Sequence, residues 1–194
     1  MVVWSVSKVL IVAKNMKATQ SIMELMCDEG YAECQVTDSA SEARHFVEEK
    51  TFDLIFIYTP LADEMGLNLS VYMAQHTGAG VFVAVSENTA LKTKDKLSEN
   101  GVIMLRKPVS VEAVHHSLLA LRAMRFRMGM MEEENKKLIT QLEDMKIINR
   151  AKMVLMQCLA MSEEQAHRYI EKQAMDLRVS RRYVARQILN TYET

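Results

Sequence analysis

Proline and glycine are scarce in this sequence, which has 2 Pro and 6 Gly among its 194 residues. Such low proline and glycine contents exclude collagen-like repeats and Pro/Gly-rich low-complexity chains. The three cysteines, Cys27, Cys34 and Cys158, are an odd number without CxxC or metal-ligand spacing, which excludes a disulfide scaffold. No apolar run reaches the roughly 20 residues that a membrane span needs. We therefore expect a cytoplasmic protein with reduced thiols and no membrane association.

Hydrophobic residues make up 49% of the chain and charged residues 25%, which excludes disorder and predicts one or two domains with a substantial core. The apolar start, MVVWSVSKVLIVAKN, lacks the basic region and cleavage site of a signal peptide, so we expect the first strand there. Charge is unevenly divided, because residues 1–120 carry 10 basic and 15 acidic side chains whereas residues 147–194 carry 8 and 5. An acidic front and a mildly basic tail suggest two modules, the second being a candidate for binding a polyanion.

The first 120 residues alternate between short β-branched runs and segments with helical spacing. Three of the runs are almost continuously apolar, as expected of central parallel strands that helices cover on both faces. Five such units predict an α/β fold with a doubly wound, five-stranded parallel sheet. Ser39 or Ser41 is expected to cap the second helix. The predicted strands are Lys8–Ala13, Ala32–Thr37, Asp53–Tyr58, Gly80–Ser86 and Val102–Arg106, and the predicted helices are Met16–Cys27, Ser41–Glu49, Leu67–Gln75 and Ala90–Glu99.

After Pro108 the sequence has no further proline and a single glycine, and every segment has helical spacing. Ser110 is predicted to cap a helix that continues to about residue 159. A 3-4 spacing along this helix predicts about three heptads of a two-stranded coiled coil. The alternative, an amphipathic helix packed on its own chain, stays open. The predicted dimer seam consists of Met131, Asn135, Leu138, Leu142 and Met145.

Two shorter helices are predicted after the long one. Ser162 and Gln165 have the capping-box spacing, so a helix is expected from there to about Met175. Ser180 is predicted to cap the last helix. With the end of the long helix, these segments form a small three-helix domain. Its predicted apolar faces contain Leu155, Met156, Ala166, Tyr169, Ile170, Ala174, Tyr183, Val184, Gln187 and Ile188.

The front of the chain carries three motifs in order: KVLIV in the first strand, FDLIFI in the third, and the pair Lys107–Pro108 after the fifth. Over roughly residues 5–122 it resembles a CheY-like receiver domain of two-component response regulators. That resemblance implies a ligand crevice at the carboxyl ends of the strands. It also implies a cis peptide before Pro108.

The resemblance fails where the receiver's chemistry belongs. Receivers hold Mg²⁺ with an acidic pair after the first strand and phosphorylate an aspartate at the end of the third, because a divalent cation with oxygen ligands neutralises the transferring phosphoryl group. Here Lys14 and Asn15 follow the first strand, and Tyr58 occupies the acceptor position. We therefore predict a pseudo-receiver without a phosphoacceptor. Ser86 and Lys107 remain at receiver positions and are interpreted as relics of the fold, with Lys107 bonded to backbone carbonyls or to the Tyr58 hydroxyl.

The tail contains Ala-Lys-x-x-Leu-Met, then Ser-Glu-Glu-x-Ala, Gln-Ala-Met and Val-Ala-x-x-Ile, spread from Ala151 to Ile188. This pattern resembles the ANTAR domain, an RNA-binding antitermination module. The resemblance implies a non-enzymatic dimer that stabilises paired hairpin loops in a leader transcript against a terminator, without metal or cofactor. Degenerate receivers in such regulators imply control by a partner protein or by the supply of the regulator itself. The predicted modules are a receiver-like domain at 1–122, a coiled-coil linker at 123–146 and the ANTAR domain at 147–194.

RNA loops are recognised through exposed bases, stacking and phosphate contacts. Lys152 and Gln173 match positions of the ANTAR pattern, and the arginines are chosen because they cluster around the last helix. Tyr183 is a candidate for stacking on a base, although an edge position in the core is an equal alternative. A protein-interaction adaptor that uses the same tail to bind a protein stays open as the second function. The predicted RNA contacts are Arg150, Lys152, Gln173, Arg178, Arg181, Arg182 and Arg186.

Overall fold

The computed structural model describes residues 7–192. The chain divides into two compact units, Met1–Met124 and Arg125–Thr194. The start of the predicted N-terminal apolar segment, residues 1–6, lies outside the described residues, as do the last two residues of the predicted tail domain. Among residues 7–192, no helix combines the length and apolarity needed to cross a membrane.

The first unit is an α/β domain with a five-stranded parallel sheet in the order β2-β1-β3-β4-β5. This confirms the predicted fold class, and each predicted strand and helix is present to within about three residues at its ends. The strands are β1 (Lys8–Ala13), β2 (Glu33–Thr37), β3 (Leu54–Tyr58), β4 (Gly80–Val85) and β5 (Val102–Arg106), and the helices between them are α1 (Met16–Asp28), α2 (Ala40–Glu49), α3 (Leu67–His76) and α4 (Glu87–Glu99).

The central strands β1, β3 and β4 are buried on both faces, which explains their continuously apolar sequences. On one face, Leu10 and Ile55 pack with residues of α2, α3 and α4, among them Met73. On the other face, the Phe56 and Phe82 rings meet edge to face with their centroids 6.0 Å apart. They pack with residues of α1 and with Val114 and Leu118 of the helix that follows β5. The register places Ala13 beside Tyr58 and Tyr58 beside Ala84, so the ends of β1, β3 and β4 lie together.

Polar caps fix the helix starts. Asn15 Oδ1 accepts hydrogen bonds from the backbone N–H groups of Lys17 and Ala18 and so begins α1. Of the two serines predicted for α2, Ser39 is the cap, since its hydroxyl accepts from the Glu42 N–H. Ser110 begins the long helix α5 (Val111–Leu159), as predicted from the sequence.

The second unit contains the distal part of α5 together with α6 (Glu163–Leu177) and α7 (Arg181–Tyr192). The predicted capping box is formed, because Ser162 and Gln165 each accept a hydrogen bond from the other's backbone N–H. Ser180 caps α7 by accepting from the Tyr183 N–H. The core of the second unit consists of Ala151, Val154, Leu155, Ala166, Ile170, Ala174, Val184, Ala185 and Ile188.

Four residues predicted for the apolar faces of this domain are exposed instead. Met156 and Tyr169 each leave 39% of their surface open, Tyr183 leaves 50%, and Gln187 is also exposed. The buried arc of α7 is filled by Val184, Ala185 and Ile188, so the neighbouring positions face solvent. The helical spacing of apolar residues in the sequence predicts wider apolar faces than these three helices bury against one another.

Candidate functional site

The end of β3 is occupied by an aromatic ring and a lysine. The Lys107 ammonium lies 3.7 Å from the centre of the Tyr58 ring, and it donates a hydrogen bond to the backbone carbonyl of Thr59. The predicted carbonyl contact is therefore present, whereas Tyr58 is contacted through the face of its ring and not through its hydroxyl. Burial lowers the pKa of Lys107 below its ordinary value. Peptide bonds 59–60 and 107–108, both ending in proline, are cis, the second as predicted.

The neighbouring groups do not fit a magnesium or phosphoacceptor site. Asn15 is engaged as the α1 cap, and Lys14 is exposed where an acid would be needed. The buried Thr59 hydroxyl donates to the Ala84 carbonyl at 2.7 Å. Asp53 is at the opposite end of β3, where it accepts from the Lys8 N–H at 2.9 Å. A lysine ammonium cannot ligate a cation, and among residues 7–192 no group of three or more His, Cys, Asp or Glu side chains is placed to hold a metal ion.

Ser86 precedes α4, and its hydroxyl lies 2.9 Å from that of Thr89. It makes no side-chain capping bond to the helix backbone. Ser86, the second residue retained from the receiver pattern, is thus exposed and hydrogen-bonded to a residue three positions along the chain. Its interpretation as a relic of the fold stays a prediction.

Asp63, which the sequence reasoning missed, fixes the loop between β3 and α3. Its carboxylate accepts from the Ser39 hydroxyl and from the backbone N–H groups of Ala40 and Ser41, all within 3.1 Å. These hydrogen bonds to the start of α2 lower the pKa of Asp63 to about 2. Next to it, Glu64 pairs with Arg44 at 2.9 Å. The loop beside the former acceptor is therefore held on α2, and no local sequence signal marks Asp63 for that role.

In the second unit, a groove of about 930 Å³ runs between α5, α6 and the start of α7. Three of the seven predicted RNA contacts line it: Lys152, Arg181 and Arg182. Apolar and polar side chains both line this groove. The apolar ones are Met145, Ile148, Ala174, Met175 and Val179.

Each of the three basic residues in this groove already has an acidic partner. Arg182 bonds Asp144 at 2.7 Å and lies 3.7 Å from Glu143, with 27% of its side chain exposed. Arg181 pairs with Glu171 at 2.9 Å. Lys152 pairs with Glu163 at 2.9 Å, and its ammonium lowers the pKa of that carboxyl. These pairs join α5, α6 and α7, so at least part of the role of these cations is structural.

The other four predicted contacts lie outside the groove. Arg150, Arg178 and Arg186 are exposed, and Gln173 is half-buried. Within residues 7–192, Arg178 and Arg186 make no ion pair. The structure therefore divides the predicted set into paired cations that line the groove and exposed residues around it.

Arg178 ends α6 in the left-handed conformation, with φ 55° and ψ 42°. Glycine adopts this conformation without steric cost, whereas other L-residues pay about 1 kcal/mol. An exposed arginine here gives up stability that glycine would supply. Such outliers concentrate at functional positions, which sets Arg178 apart from the other arginines.

The apolar residues of the predicted seam are uncovered in the single chain. Met131, Leu138, Leu142 and Met145 expose between 51% and 64% of their surface, and Asn135 is exposed as well. They follow one another along a continuous helix, as a coiled-coil stripe requires. Whether a second chain covers this stripe stays a prediction.

Comparison with known proteins assigns the tail to a family. Residues 136–189 match the family model of the ANTAR domain. Over 188 residues, the chain is 25% identical to the transcriptional regulatory protein PdtaR of Mycobacterium tuberculosis, covering 96% of this chain and 91% of that protein.

Solved structures resemble the first unit in fold. The signal receiver domain of an HD domain-containing protein from Pseudomonas fluorescens Pf-5 has a TM-score of 0.53 at 20% identity, covering 66% of this chain and 92% of its own. The chemotaxis response regulator CheY4 of Vibrio cholerae has a TM-score of 0.51 at 20% identity, covering 60% of this chain and 98% of its own. The chain therefore combines a first unit of receiver-like fold with a tail that matches the ANTAR domain, and it is similar over almost its whole length to a transcriptional regulatory protein.

Proposed function

We propose that this protein is a non-enzymatic, RNA-binding antitermination regulator. It stabilises a pair of leader-RNA hairpins against a competing terminator. The observation that carries the proposal is the ANTAR domain at residues 136–189. Exposed Arg178 and Arg186 support an RNA contact, since a phosphate backbone is bound through cationic side chains that are not already neutralised. The strained backbone at Arg178 supports the same role.

The proposed regulator acts independently of aspartyl phosphorylation. Tyr58 replaces the acceptor, and the Lys107 ammonium covers its ring. Lys14 and Asn15 replace the acidic pair, so the divalent cation that phosphoryl transfer requires has no carboxylate ligands there. The input then comes from a partner protein or from the amount of the regulator itself.

Two copies are proposed to join through the exposed seam of α5. A dimer offers two ANTAR domains for two RNA loops, and the linkage raises the effective concentration of the second contact. Changing Leu138 and Leu142 together to Glu buries like charges in the seam, so sedimentation is expected to show monomers. The matched control, Lys136→Glu with Thr140→Glu, introduces the same acidic spacing on the opposite face and is expected to stay dimeric. An unchanged dimer in the seam variant would place the interface elsewhere.

The function is tested by titrating the full chain with a leader RNA that carries two hairpins, at fixed salt because phosphate contacts make affinity strongly salt-dependent. The control RNA keeps both stems and has scrambled loops. We expect loop-dependent binding that weakens in the variant Arg178→Gly with Arg186→Ala. Equal binding of both RNAs would contradict hairpin-loop recognition. Absence of RNA binding would favour the alternative, an adaptor whose helical tail contacts a protein.

A further inference from the structure

Two of the three free cysteines lie next to each other in the receiver-like unit. Cys27 is exposed in the last turn of α1, and Cys34 is half-buried in β2. The Cys34 thiol donates a hydrogen bond to the Cys27 sulfur. The third cysteine, Cys158, is exposed in the second unit. The structure thus brings together two thiols whose spacing in the sequence gives no sign of a contact.

The local fold places both thiols on the same side of the sheet. Gly30, in the left-handed conformation with φ 89°, turns the chain after α1, and its N–H donates to the Cys27 carbonyl at 3.0 Å. Side chains alternate along a strand, so Cys34 and Val36 point to the same face of β2. Val36 lines the groove beside α1 together with Cys27. Cys34 packs on the core that contains Met26 of α1, so the packing supports the contact independently of the hydrogen bond.

The two thiols differ in exposure and in protonation. Burial raises the pKa of the Cys34 thiol, and so do the charge of a Cys27 thiolate beside it and the hydrogen bond between the two. Cys34 therefore stays protonated when Cys27 is ionised. Because oxidants react with the thiolate, the exposed Cys27 is the first to react, and Cys34 is the neighbour that meets its product.

Charged side chains around Cys27 favour an uncharged oxidant. Glu24 and Asp28 lie beside Cys27 on the helix, and the last turn of α1 has no basic residue. Lys14 and Lys17, which line the same groove, lie at the other end of α1. An anionic oxidant such as oxidised glutathione is repelled by the acidic side chains, whereas hydrogen peroxide is not.

The thiol pair fits oxidation better than metal binding. A structural zinc site takes four ligands. Among residues 7–192, no group of three or more His, Cys, Asp or Glu side chains is placed to hold a metal ion. A disulfide needs only the two sulfur atoms, which must approach to about 2.05 Å.

We propose that Cys27 and Cys34 form an oxidation-sensitive thiol pair, which hydrogen peroxide converts into a disulfide that joins the end of α1 to β2. In the first step the Cys27 thiolate attacks one peroxide oxygen and the O–O bond breaks. Cys27 becomes a sulfenic acid, and the other oxygen leaves as hydroxide, which takes the proton that Cys27 released and becomes water.

In the second step the Cys34 sulfur attacks the sulfenic sulfur of Cys27. The S–S bond forms and the S–O bond breaks, and the leaving hydroxide takes the Cys34 proton and becomes a second water. The two thiols together lose two electrons, and the peroxide is reduced by the same two.

The reaction is tested by adding hydrogen peroxide to the reduced full chain and quenching with N-ethylmaleimide. The intact protein is expected to lack two hydrogens and to carry one maleimide, on Cys158, instead of three. Dithiothreitol is expected to restore both thiols, which separates a disulfide from a sulfinic acid. In dilute protein, the disulfide within the pair is expected to exceed any disulfide through Cys158 at least about tenfold, because the paired thiols are held at high effective concentration.

Peptide mapping identifies the bond. Glutamyl endopeptidase cleaves after Glu29 and Glu33, between the two cysteines, so the disulfide is expected as two peptides that separate on reduction.

Single substitutions separate the two steps. Cys34→Ser leaves the oxidised Cys27 without a neighbouring thiol, so dimedone is expected to trap at least about tenfold more sulfenic acid than in the natural chain. Cys27→Ser is expected to slow the oxidation of Cys34 at least about tenfold, since only the half-buried thiol remains. Cys158→Ser is the matched control and is expected to form the disulfide at the natural rate. Circular dichroism checks the fold of each variant, and Cys34→Ala repeats the first test without a buried hydroxyl.

Three outcomes would overturn the proposal. The first is a natural chain in which peroxide gives sulfinic acid and no disulfide between Cys27 and Cys34. The second is equal formation of disulfides through Cys158, which would assign the reaction to unselective oxidation. The third is oxidation of Cys34 in the Cys27→Ser variant as fast as in the natural chain. None of these outcomes concerns RNA, so each would leave the proposed function standing.

Discussion

The Lys107 ammonium lies 3.7 Å above the Tyr58 ring and donates a hydrogen bond to the Thr59 carbonyl. In this arrangement an aromatic face takes the place of the carboxylate that a receiver lysine normally meets. The ring is uncharged and carries no carboxylate that a phosphodonor could modify. The proposed independence from aspartyl phosphorylation rests on this replacement.

The ring, and not the hydroxyl, is expected to hold Lys107. Tyr58→Phe keeps the cation–π contact and is predicted to change the free energy of unfolding by less than about 0.5 kcal/mol, whereas Tyr58→Leu is predicted to lose about 1 kcal/mol. Urea denaturation followed by circular dichroism measures both. Equal losses in the two variants would assign the stabilisation to the hydroxyl instead.

Arg182 is expected to stabilise the ANTAR domain through Asp144 on α5. Arg182→Ala leaves a partly buried carboxylate without its partner and is predicted to cost about 1 kcal/mol. The exposed Arg186→Ala is the matched control and is predicted to leave stability unchanged. A double-mutant cycle with Asp144→Ala isolates the pair energy. Additive losses in that cycle would show that the two side chains do not stabilise each other.

Arg178→Gly is expected to separate stability from RNA binding. Glycine relieves the left-handed backbone at the end of α6, so the free energy of unfolding is predicted to rise by about 1 kcal/mol. RNA affinity is predicted to fall, because an exposed cation is removed. Thermal unfolding and RNA titration of the same sample give both quantities. A variant that is more stable and binds RNA as tightly as the natural chain would exclude Arg178 from the RNA contact.

Asp63 is expected to make part of the stability depend on acid pH. Its pKa in the folded chain, about 2, lies below the ordinary value of 3.8. Its contribution is therefore complete above the ordinary value and is lost as the pH falls toward 2. Asp63→Asn is predicted to lower stability at neutral pH and to flatten its decline over that range. Urea unfolding at several pH values tests this, with Asp95→Asn on α4 as the control; an unchanged decline in Asp63→Asn would contradict the role of this carboxyl.

The sequence predicted the framework well because the framework follows from periodicity and local caps. The apolar runs of β1, β3 and β4 are required by burial on both faces, and Ser110, Ser162 and Ser180 begin helices through bonds to residues three positions away. Ser39 and Ser41 are both suitable caps by sequence. Only the structure shows that Ser39 accepts the hydrogen bond from the Glu42 N–H. The core position predicted for Met156 is wrong, because a helical period does not say how wide the buried arc is. Of the two alternatives for Tyr183, its 50% exposure favours a surface role.

The site was less accessible to sequence reasoning, since its contacts join residues distant in the chain. The motif shows that Tyr58 occupies the acceptor position. That Lys107 contacts the face of this ring depends on where the end of β5 places the lysine, which the sequence does not show. The anchoring of the loop by Asp63 joins residues more than 20 positions apart. Pairing of Arg182 with Asp144 spans 38 positions, so the arginines could be selected by type but not sorted into paired and exposed groups.

We propose that this chain binds RNA without aspartyl phosphorylation. The decisive experiment titrates the full chain with the two-hairpin RNA, with and without a small-molecule phosphodonor and Mg²⁺, and measures the intact mass of the protein from each titration. We expect the same loop-dependent affinity in both titrations and no added phosphoryl mass. A phosphoryl adduct accompanied by a change in affinity would contradict it.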